Sequence, residues 1–157
     1  MEERSNHAVV GWREWVGLPD FDVQWIKAKI DTGARTSSLH GDDIEVEGDH
    51  VSFTITPWQG SELDSVRVTT ELLDWRTVRS SSGESEERPT VLVEIRILDQ
   101  LVPVELTLTR RDQMGFRMLV GREGLRNRFV VDPGRSYFGG RPPRQLRRRN
   151  RESDEDE

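Results

Sequence analysis

The hydrophobic residues of this chain recur in short runs with a period of two, which is the spacing of half-buried β-strands. In residues 24–31, apolar and charged side chains alternate up to the turn at Gly33. Val51, Phe53 and Ile55 repeat the same spacing before a proline. The pattern therefore predicts an all-β domain, because alternating helices and parallel strands would require long segments with a helical period.

Two longer apolar segments predict a hairpin. Residues 90–98 and 101–109 are rich in Val, Ile, Leu and Thr, and only two residues separate them, as in a tight β-hairpin. Residues 118–120 form a brief apolar strand before Gly121, and residues 123–127 favour a single helical turn. The sequence thus predicts many strands and one short helix near the C-terminal end of the domain.

The chain divides into three predicted parts. Its 157 residues suit one ordinary domain. We predict a flexible N-terminus at residues 1–9, a folded domain at residues 10–138 and a tail at residues 139–157. The tail consists of an arginine-rich block followed by an acidic block. Because this composition buries little apolar surface, the tail is predicted to be disordered.

Composition and charge exclude several classes of function. The chain has no cysteine, which removes disulfides, thiolate metal sites and cysteine nucleophiles. It has no apolar run near the roughly 20 residues of a membrane-spanning helix. Its first ten residues show no secretory signal, so a cytoplasmic location is predicted. Of the net charge of −6, the tail carries +1, and the acidic remainder has no general attraction for nucleic acid.

The tripeptide Asp31-Thr32-Gly33 is the feature that points to chemistry. Alone it is typical of a turn, because the Asp side chain accepts a hydrogen bond from the backbone two residues on and Gly tolerates positive φ. Here it follows an Ile-rich strand, and a second apolar strand ends at Gly121 about ninety residues later. This arrangement favours one half of an aspartic peptidase site.

The segments KAKIDTGARTSSLH, RSSSGESEERPTV, VELTLTRRDQMGFRMLVGREGL and FVVDPGRSYF resemble the retropepsin-like family historically labelled ATP-dependent zinc proteases. Members of that family are often found beside ATP-grasp glutamate ligases. The resemblance covers nearly all of residues 10–138. It implies a retropepsin-like closed barrel half-domain that acts as an aspartic endopeptidase in a homodimer. The expected substrates are acidic peptides or protein tails, including glutamate-modified ones. A glutamate ligase is expected as a further partner.

The resemblance also implies roles for individual residues. Asp31 becomes the catalytic carboxylate, the Thr32 hydroxyl braces the paired loops, and Gly33 allows their close approach. The tip of the substrate-covering flap falls at Ser81, Ser82 and Gly83. Four arginines also match the family pattern, and we predict that they bind an acidic substrate if they converge on the cleft, because guanidinium binds carboxylate in a bidentate manner: Arg35, Arg88, Arg111 and Arg122. The flap segment is equally well explained as a mobile hairpin tip. Each arginine could equally be a surface residue that forms an ordinary ion pair with an acid.

One position departs from the viral members of the wider family. They usually carry an acid two residues after the motif glycine, where it pairs with the arginine of a late Gly-Arg. Here that position is Arg35. Arg122 must therefore find another partner, and Glu123, Asp132 or a substrate carboxylate are the candidates.

The chemistry of an aspartic peptidase needs two carboxylates, one ionised to activate water and one protonated to donate to the scissile carbonyl. Two carboxylates about 3 Å apart share one proton. The sequence contains no second Asp-Thr-Gly. The mechanism therefore requires a two-fold symmetric homodimer in which each copy contributes Asp31.

Metal and nucleotide chemistry find little support in the sequence. The histidines are His7, His40 and His50, with no HExxH, and there is no phosphate-binding glycine loop. No metal or cofactor is therefore expected. Two alternatives stay open: a retropepsin fold that binds acidic peptides or a glutamate ligase without cleaving them, and a basic tail that tethers RNA or a membrane surface, which the adjacent acids disfavour.

Overall fold

The computed structural model describes residues 7–79, 82–110 and 115–150. Twelve strands and two short helices make up this part of the chain. In chain order they are β1 (Ala8–Gly11), β2 (Arg13–Leu18), β3 (Val23–Ile30), β4 (Ser37–His40), β5 (Asp42–Glu47), β6 (His50–Ile55), β7 (Val66–Glu71), β8 (Asp74–Arg79), β9 (Ser85–Ile97), β10 (Gln100–Thr109), β11 (Met118–Val120), α1 (Arg122–Leu125), β12 (Phe129–Asp132) and α2 (Arg144–Arg149). The predicted all-β class is confirmed.

The largest sheet has seven strands in the order β10-β4-β11-β3-β2-β9-β8, and β10 also pairs with β9. The predicted hairpin is the antiparallel pair β9 and β10. At the centre, β11 runs parallel to β3 and antiparallel to β4. The loop between β3 and β4 therefore lies beside the end of β11, while closure of the sheet into a barrel stays a prediction.

Two smaller sheets complete the fold. Strands β5, β6 and β7 form an antiparallel sheet, and β1 pairs in parallel with β12. The alternating pattern of β6 holds, since Val51, Phe53 and Ile55 are fully buried while the residues between them are half-buried. Burying one such side chain contributes roughly 1.5–3 kcal/mol. The apolar side chains of the period-two pattern thus form part of the hydrophobic core.

A fully buried carboxylate joins the beginning of the domain to its end. Glu14 accepts hydrogen bonds from the backbone N–H groups of Gly11 at 2.7 Å, Phe138 at 2.9 Å and Gly139 at 3.0 Å. Buried charge is tolerated when it is hydrogen-bonded in this way. The segment after β12 is consequently held against the β1–β2 corner.

Both ends of the described chain differ from the sequence prediction. Strand β1 begins at Ala8, inside the N-terminus predicted to be flexible. In residues 139–150, predicted to be disordered, helix α2 packs on the domain through buried Asn150 and half-buried Leu146. The order arises because Asn150 Nδ2 donates to Asp64, a partner far away in the sequence. In the described part of the chain, no helix has the length and apolar character to cross a membrane.

Candidate active site

Asp31 lies at the point where β3 ends, and residues 31–36 form a loop, called the catalytic loop below. The Asp31 N–H donates to the Val120 carbonyl at 2.9 Å, which fixes the residue to the end of β11. Its Oδ1 accepts the Gly33 N–H at 3.0 Å. The structure therefore fits both interpretations of Asp-Thr-Gly, as a turn and as a catalytic motif. In both, a local hydrogen bond orients the half-buried carboxylate.

Helix α1 braces the catalytic loop through the backbone. The Arg122 N–H donates to the Ala34 carbonyl at 2.8 Å, and the Glu123 N–H donates to the Arg35 carbonyl at 3.0 Å. These are N–H groups at the start of the helix, which have no partner inside it. The second half of the loop is thus held by the element that follows β11.

Gly121 permits this close approach. Its N–H donates to the buried Ser37 Oγ at 3.0 Å. A Cβ at this position would overlap the carbonyl groups of Thr36 and Ala34. Only glycine fits here, and the reason is the proximity of the loop rather than an unusual φ.

The Arg122 side chain binds the other half of the loop. Its Nη1 lies 3.3 Å from the carbonyl oxygens of both Thr32 and Gly33. Among the described residues, Arg122 forms no ion pair with Glu123 or Asp132, the two partners within the chain that the sequence suggested, because two main-chain carbonyls of the exposed turn lie within reach of the guanidinium. Arg122 is thereby placed at the catalytic loop and holds its backbone.

Arg35 takes the acid next to Arg122 as its partner. Arg35 Nε lies 3.7 Å from Glu123 Oε2, and Arg126 donates to the same oxygen at 2.9 Å. In the viral members, the loop carries the acid and the later Gly-Arg segment carries the arginine. Here the loop carries Arg35 and helix α1 carries its carboxylate partner, Glu123. Arg35, Arg122 and Arg126 surround the loop on its α1 side.

The predicted flap is the hairpin of β8 and β9, in which Arg79 pairs with Ser85. Ser82 and Gly83 lie exposed at its tip, and Gly83 has a φ of 92°. Ser81 and Arg111 lie outside the described residues. The structure therefore places the described flap-tip residues on a different element from the catalytic loop.

The base of the same hairpin is tied to β10. Arg76 Nη2 donates to Glu105 at 2.8 Å, and hydrogen bonds with Glu105 and then Asp74 raise the pKa of the Arg76 guanidinium. Arg88 pairs across from Arg76, with its Nε 3.6 Å from Glu86. Arg88 is 11% exposed in its side chain and lies at the base of the flap rather than at the catalytic loop.

An apolar groove beside the catalytic loop was not predicted from the sequence. It has a volume of about 650 Å³. Its lining includes Thr32, Leu125, Phe129 and Val130. Residues of β12 form one wall, and β12 pairs in parallel with β1, a strand so far away in the sequence that the pairing leaves no local sequence signal.

The histidines of the described part do not form a metal centre. Among residues 7–79, 82–110 and 115–150, no three His, Asp or Glu side chains stand close enough together to hold a metal ion. His40 instead directs Nε2 to Asp42 Oδ1 at 3.1 Å, beside the end of β4.

The sequence matches one protein family over most of its length. The model of the RimB-like family, described as retropepsin-like aspartic endopeptidase RimB, matches residues 9–142. A Shewanella pealeana protein named "Probable alpha-L-glutamate ligase" is 43% identical over 140 residues, which are 87% of this chain and 31% of that protein. A Shewanella halifaxensis protein of the same name is 41% identical, with the same coverage.

This chain therefore spans about a third of the length of the curated relatives it matches. A crystal structure of a Legionella pneumophila protein of unknown function shares the fold, with a TM-score of 0.68 and 26% identity. The similarity covers 84% of this chain and 98% of that one. By its fold and its family match, the chain belongs to the RimB-like family of retropepsin-like aspartic endopeptidases.

Proposed function

We propose that this chain is an aspartic endopeptidase that works as a homodimer on acidic peptides or protein tails, including glutamate-modified ones. The observation that carries the proposal is the position of Asp31, which ends a buried strand inside a loop held by backbone hydrogen bonds from α1 and β11. A fixed carboxylate of this kind is what general acid–base catalysis requires. The family match supports the same chemistry.

In the proposed reaction, two copies of Asp31 face each other across a two-fold axis. One ionised carboxylate takes a proton from water, and the water oxygen attacks the carbonyl carbon of the scissile amide. The protonated carboxylic acid donates to the carbonyl oxygen. When the tetrahedral intermediate collapses, the C–N bond breaks and the leaving nitrogen takes a proton, which leaves an acid and an amine as products.

The surface around the catalytic loop supports a second copy as the partner. Thr32 and Gly33 are exposed in the single chain, although they adjoin the carboxylate. The apolar groove next to them offers surface for burial, and Val130 on its β12 wall is 43% exposed. A stable interface needs about 1,200–2,000 Å² in total, and the loop, groove and terminal strands are contiguous candidates for it.

The arginines at the loop support an acidic substrate. Arg35, Arg122 and Arg126 lie on one side of the catalytic loop, and guanidinium groups bind carboxylates in a bidentate manner. Glu123 balances only part of this charge. Relatives that carry the domain are named for glutamate ligation, which supports a glutamate-bearing chain as substrate and a glutamate ligase as partner. The cytoplasmic location remains a prediction.

A binding module without hydrolysis is the second candidate. The observation that favours it is the hydrogen bond from Gly33 N–H to Asp31 Oδ1, since an Asp in a purely structural turn makes the same bond. In that case Asp31 shapes the loop, and the arginines alone hold the acidic chain or the ligase.

Replacement of Asp31 by Asn separates the two candidates. Asn keeps the shape and can still accept the Gly33 N–H, but it cannot act as a base. We expect the rate of cleavage of unmodified acidic and poly-glutamylated peptides, followed by mass spectrometry, to fall about 10³-fold. Binding of the same peptides should change little. Cleavage by Asp31→Asn at the wild-type rate would remove Asp31 from the chemistry.

A further inference from the structure

Helix α2 is fixed to the domain by one face. Leu146 within α2 is half-buried, and Pro142 before the helix and Asn150 at its C-terminal end are buried. Asn150 Nδ2 donates to Asp64 Oδ2 at 2.8 Å, and Arg149 forms an ion pair with the same carboxylate. The helix is therefore held in a defined position by a side chain from the loop between β6 and β7.

The other face of α2 presents a row of arginines. Residues 139–150 contain five arginines and no acid. Arg147 Nε donates to the Pro142 carbonyl, whereas Arg141, Arg144 and Arg148 are exposed. Within the described ranges, these three arginines form no ion pair with any carboxylate. We call them the α2 arginine surface.

The chemistry of this surface favours acidic peptide over nucleic acid. Exposed guanidinium groups without carboxylate partners are suited to bidentate binding of carboxylates. Proteins that bind single-stranded nucleic acid usually add aromatic rings on which bases stack. Arg141 lies beside the ring of Tyr137, and the guanidinium groups of both Arg13 and Arg141 are 4.9 Å from its centroid. Two guanidinium groups therefore already pack near this ring, where a nucleic-acid base would have to stack.

We propose that the α2 arginine surface is a second binding site for a long acidic peptide chain, on a different element from the catalytic loop. The acidic class of ligand rests on the proposed function. The family match ends at residue 142, before α2 begins. A chain held at both places binds more tightly, because the second contact forms at a high effective concentration.

The size of the domain makes this binding depend on chain length. A domain of this size has a radius of gyration of about 15 Å. A peptide of roughly 20 extended residues reaches up to about 65 Å, whereas one of roughly 4 residues reaches about 13 Å. Only the longer peptide can occupy the catalytic loop and the α2 arginine surface together.

Fluorescence anisotropy with dye-labelled oligoglutamates of roughly 4 and roughly 20 residues tests the proposal. The measurements use the full chain carrying Asp31→Asn, so that no peptide is cleaved. We expect Arg144→Gln with Arg148→Gln to weaken binding of the long peptide about tenfold and to leave the short peptide unchanged. The loss should disappear at high salt, because exposed charges are screened.

Arg67→Gln with Arg135→Gln is the matched control. It removes the same charge from exposed arginines that lie on β7 and after β12. We expect it to leave both affinities unchanged. Equal losses in the two double variants would overturn the proposal, because they would show that only net charge matters. An RNA oligonucleotide of equal length that bound as tightly, with the same loss in the α2 variant, would overturn the acidic-peptide assignment.

The acidic residues that follow α2 provide an independent test. Residues 152–157 contain five acids and lie outside the described residues. As carboxylates close in sequence to the α2 arginine surface, they compete with a bound acidic chain. Substituting Glu152, Asp154 and Glu155 by their amides should tighten binding of the long peptide several-fold, and unchanged or weaker binding would contradict the proposal.

This assay also separates the two proposals of function. If the wild-type protein cleaves nothing while the long peptide still binds through α2, the peptidase proposal fails and the second site is supported. If cleavage occurs but binding does not depend on chain length, the peptidase proposal survives and the second site fails.

Discussion

The catalytic loop and the flap hairpin differ in how the rest of the fold holds them. The loop accepts backbone hydrogen bonds from α1 at the Ala34 and Arg35 carbonyls, and its Asp31 N–H donates to the last carbonyl of β11. The Arg122 side chain adds two more hydrogen bonds to loop carbonyls. The described hairpin is held within itself by the β8–β9 ladder and at its base by the Arg76–Glu105 ion pair. The position of the Asp31 carboxylate is therefore fixed by hydrogen bonds from two neighbouring elements, whereas the described hairpin is held mainly by its own strand pairing and by contacts at its base.

Gly121→Ala should disrupt the packing of the catalytic loop against the start of α1 and cause the largest loss of stability among these variants. The added Cβ would overlap the Thr36 and Ala34 carbonyl groups, and main-chain atoms cannot move aside as a flexible side chain does. We expect a loss of about 3 kcal/mol in the free energy of unfolding, measured by urea denaturation, together with loss of cleavage.

Gly83→Ala at the flap tip is the matched control for that change. A Cβ at Gly83 meets nothing within 4 Å, so only the φ of 92° opposes it. We expect a cost of about 1 kcal/mol. A Gly121→Ala protein as stable as the Gly83→Ala protein would show that α1 does not brace the loop as described.

Arg122→Gln should destabilise the catalytic loop less than Gly121→Ala does. The variant loses the donors to the Thr32 and Gly33 carbonyls, but the site is exposed, so the free energy of unfolding should fall by only about 1 kcal/mol. Because the turn is then less well held, we expect kcat to fall about tenfold, as misplaced catalytic groups do, with KM for short neutral peptides unchanged.

A rise in KM at constant kcat would contradict this role, since it would show that Arg122 binds substrate rather than the loop. Arg122→Lys serves as the conservative control. It keeps the charge but lacks the planar group that reaches two carbonyls, so it should recover only part of kcat.

The sequence was informative where local patterns decide the structure. The period-two strands, the hairpin of β9 and β10 and the short helix after Gly121 all follow from the spacing of neighbouring residues. The position of the Asp-Thr-Gly turn at the end of a buried strand follows in the same way. These features depend on contacts within a few residues or on a single hydrophobic face.

The remainder depends on contacts that the sequence does not show. Arg122 binds main-chain carbonyls, and no residue type marks them. Helix α2 is ordered because Asn150 and Arg149 meet Asp64 across the fold, whereas their local sequence consists mainly of arginine and is typical of a solvated tail. The groove beside Thr32 is lined by β12, a strand that pairs with β1 from the opposite end of the domain.

The most direct test of the account is the activity of mixed dimers. Wild-type protein is mixed with increasing amounts of Asp31→Asn protein at constant total concentration, under conditions that allow subunit exchange, and peptide cleavage is measured. If each site needs Asp31 from two copies, activity falls with the square of the wild-type fraction and is about one quarter in an equal mixture. A linear fall, to about one half, would show that one chain carries a complete site.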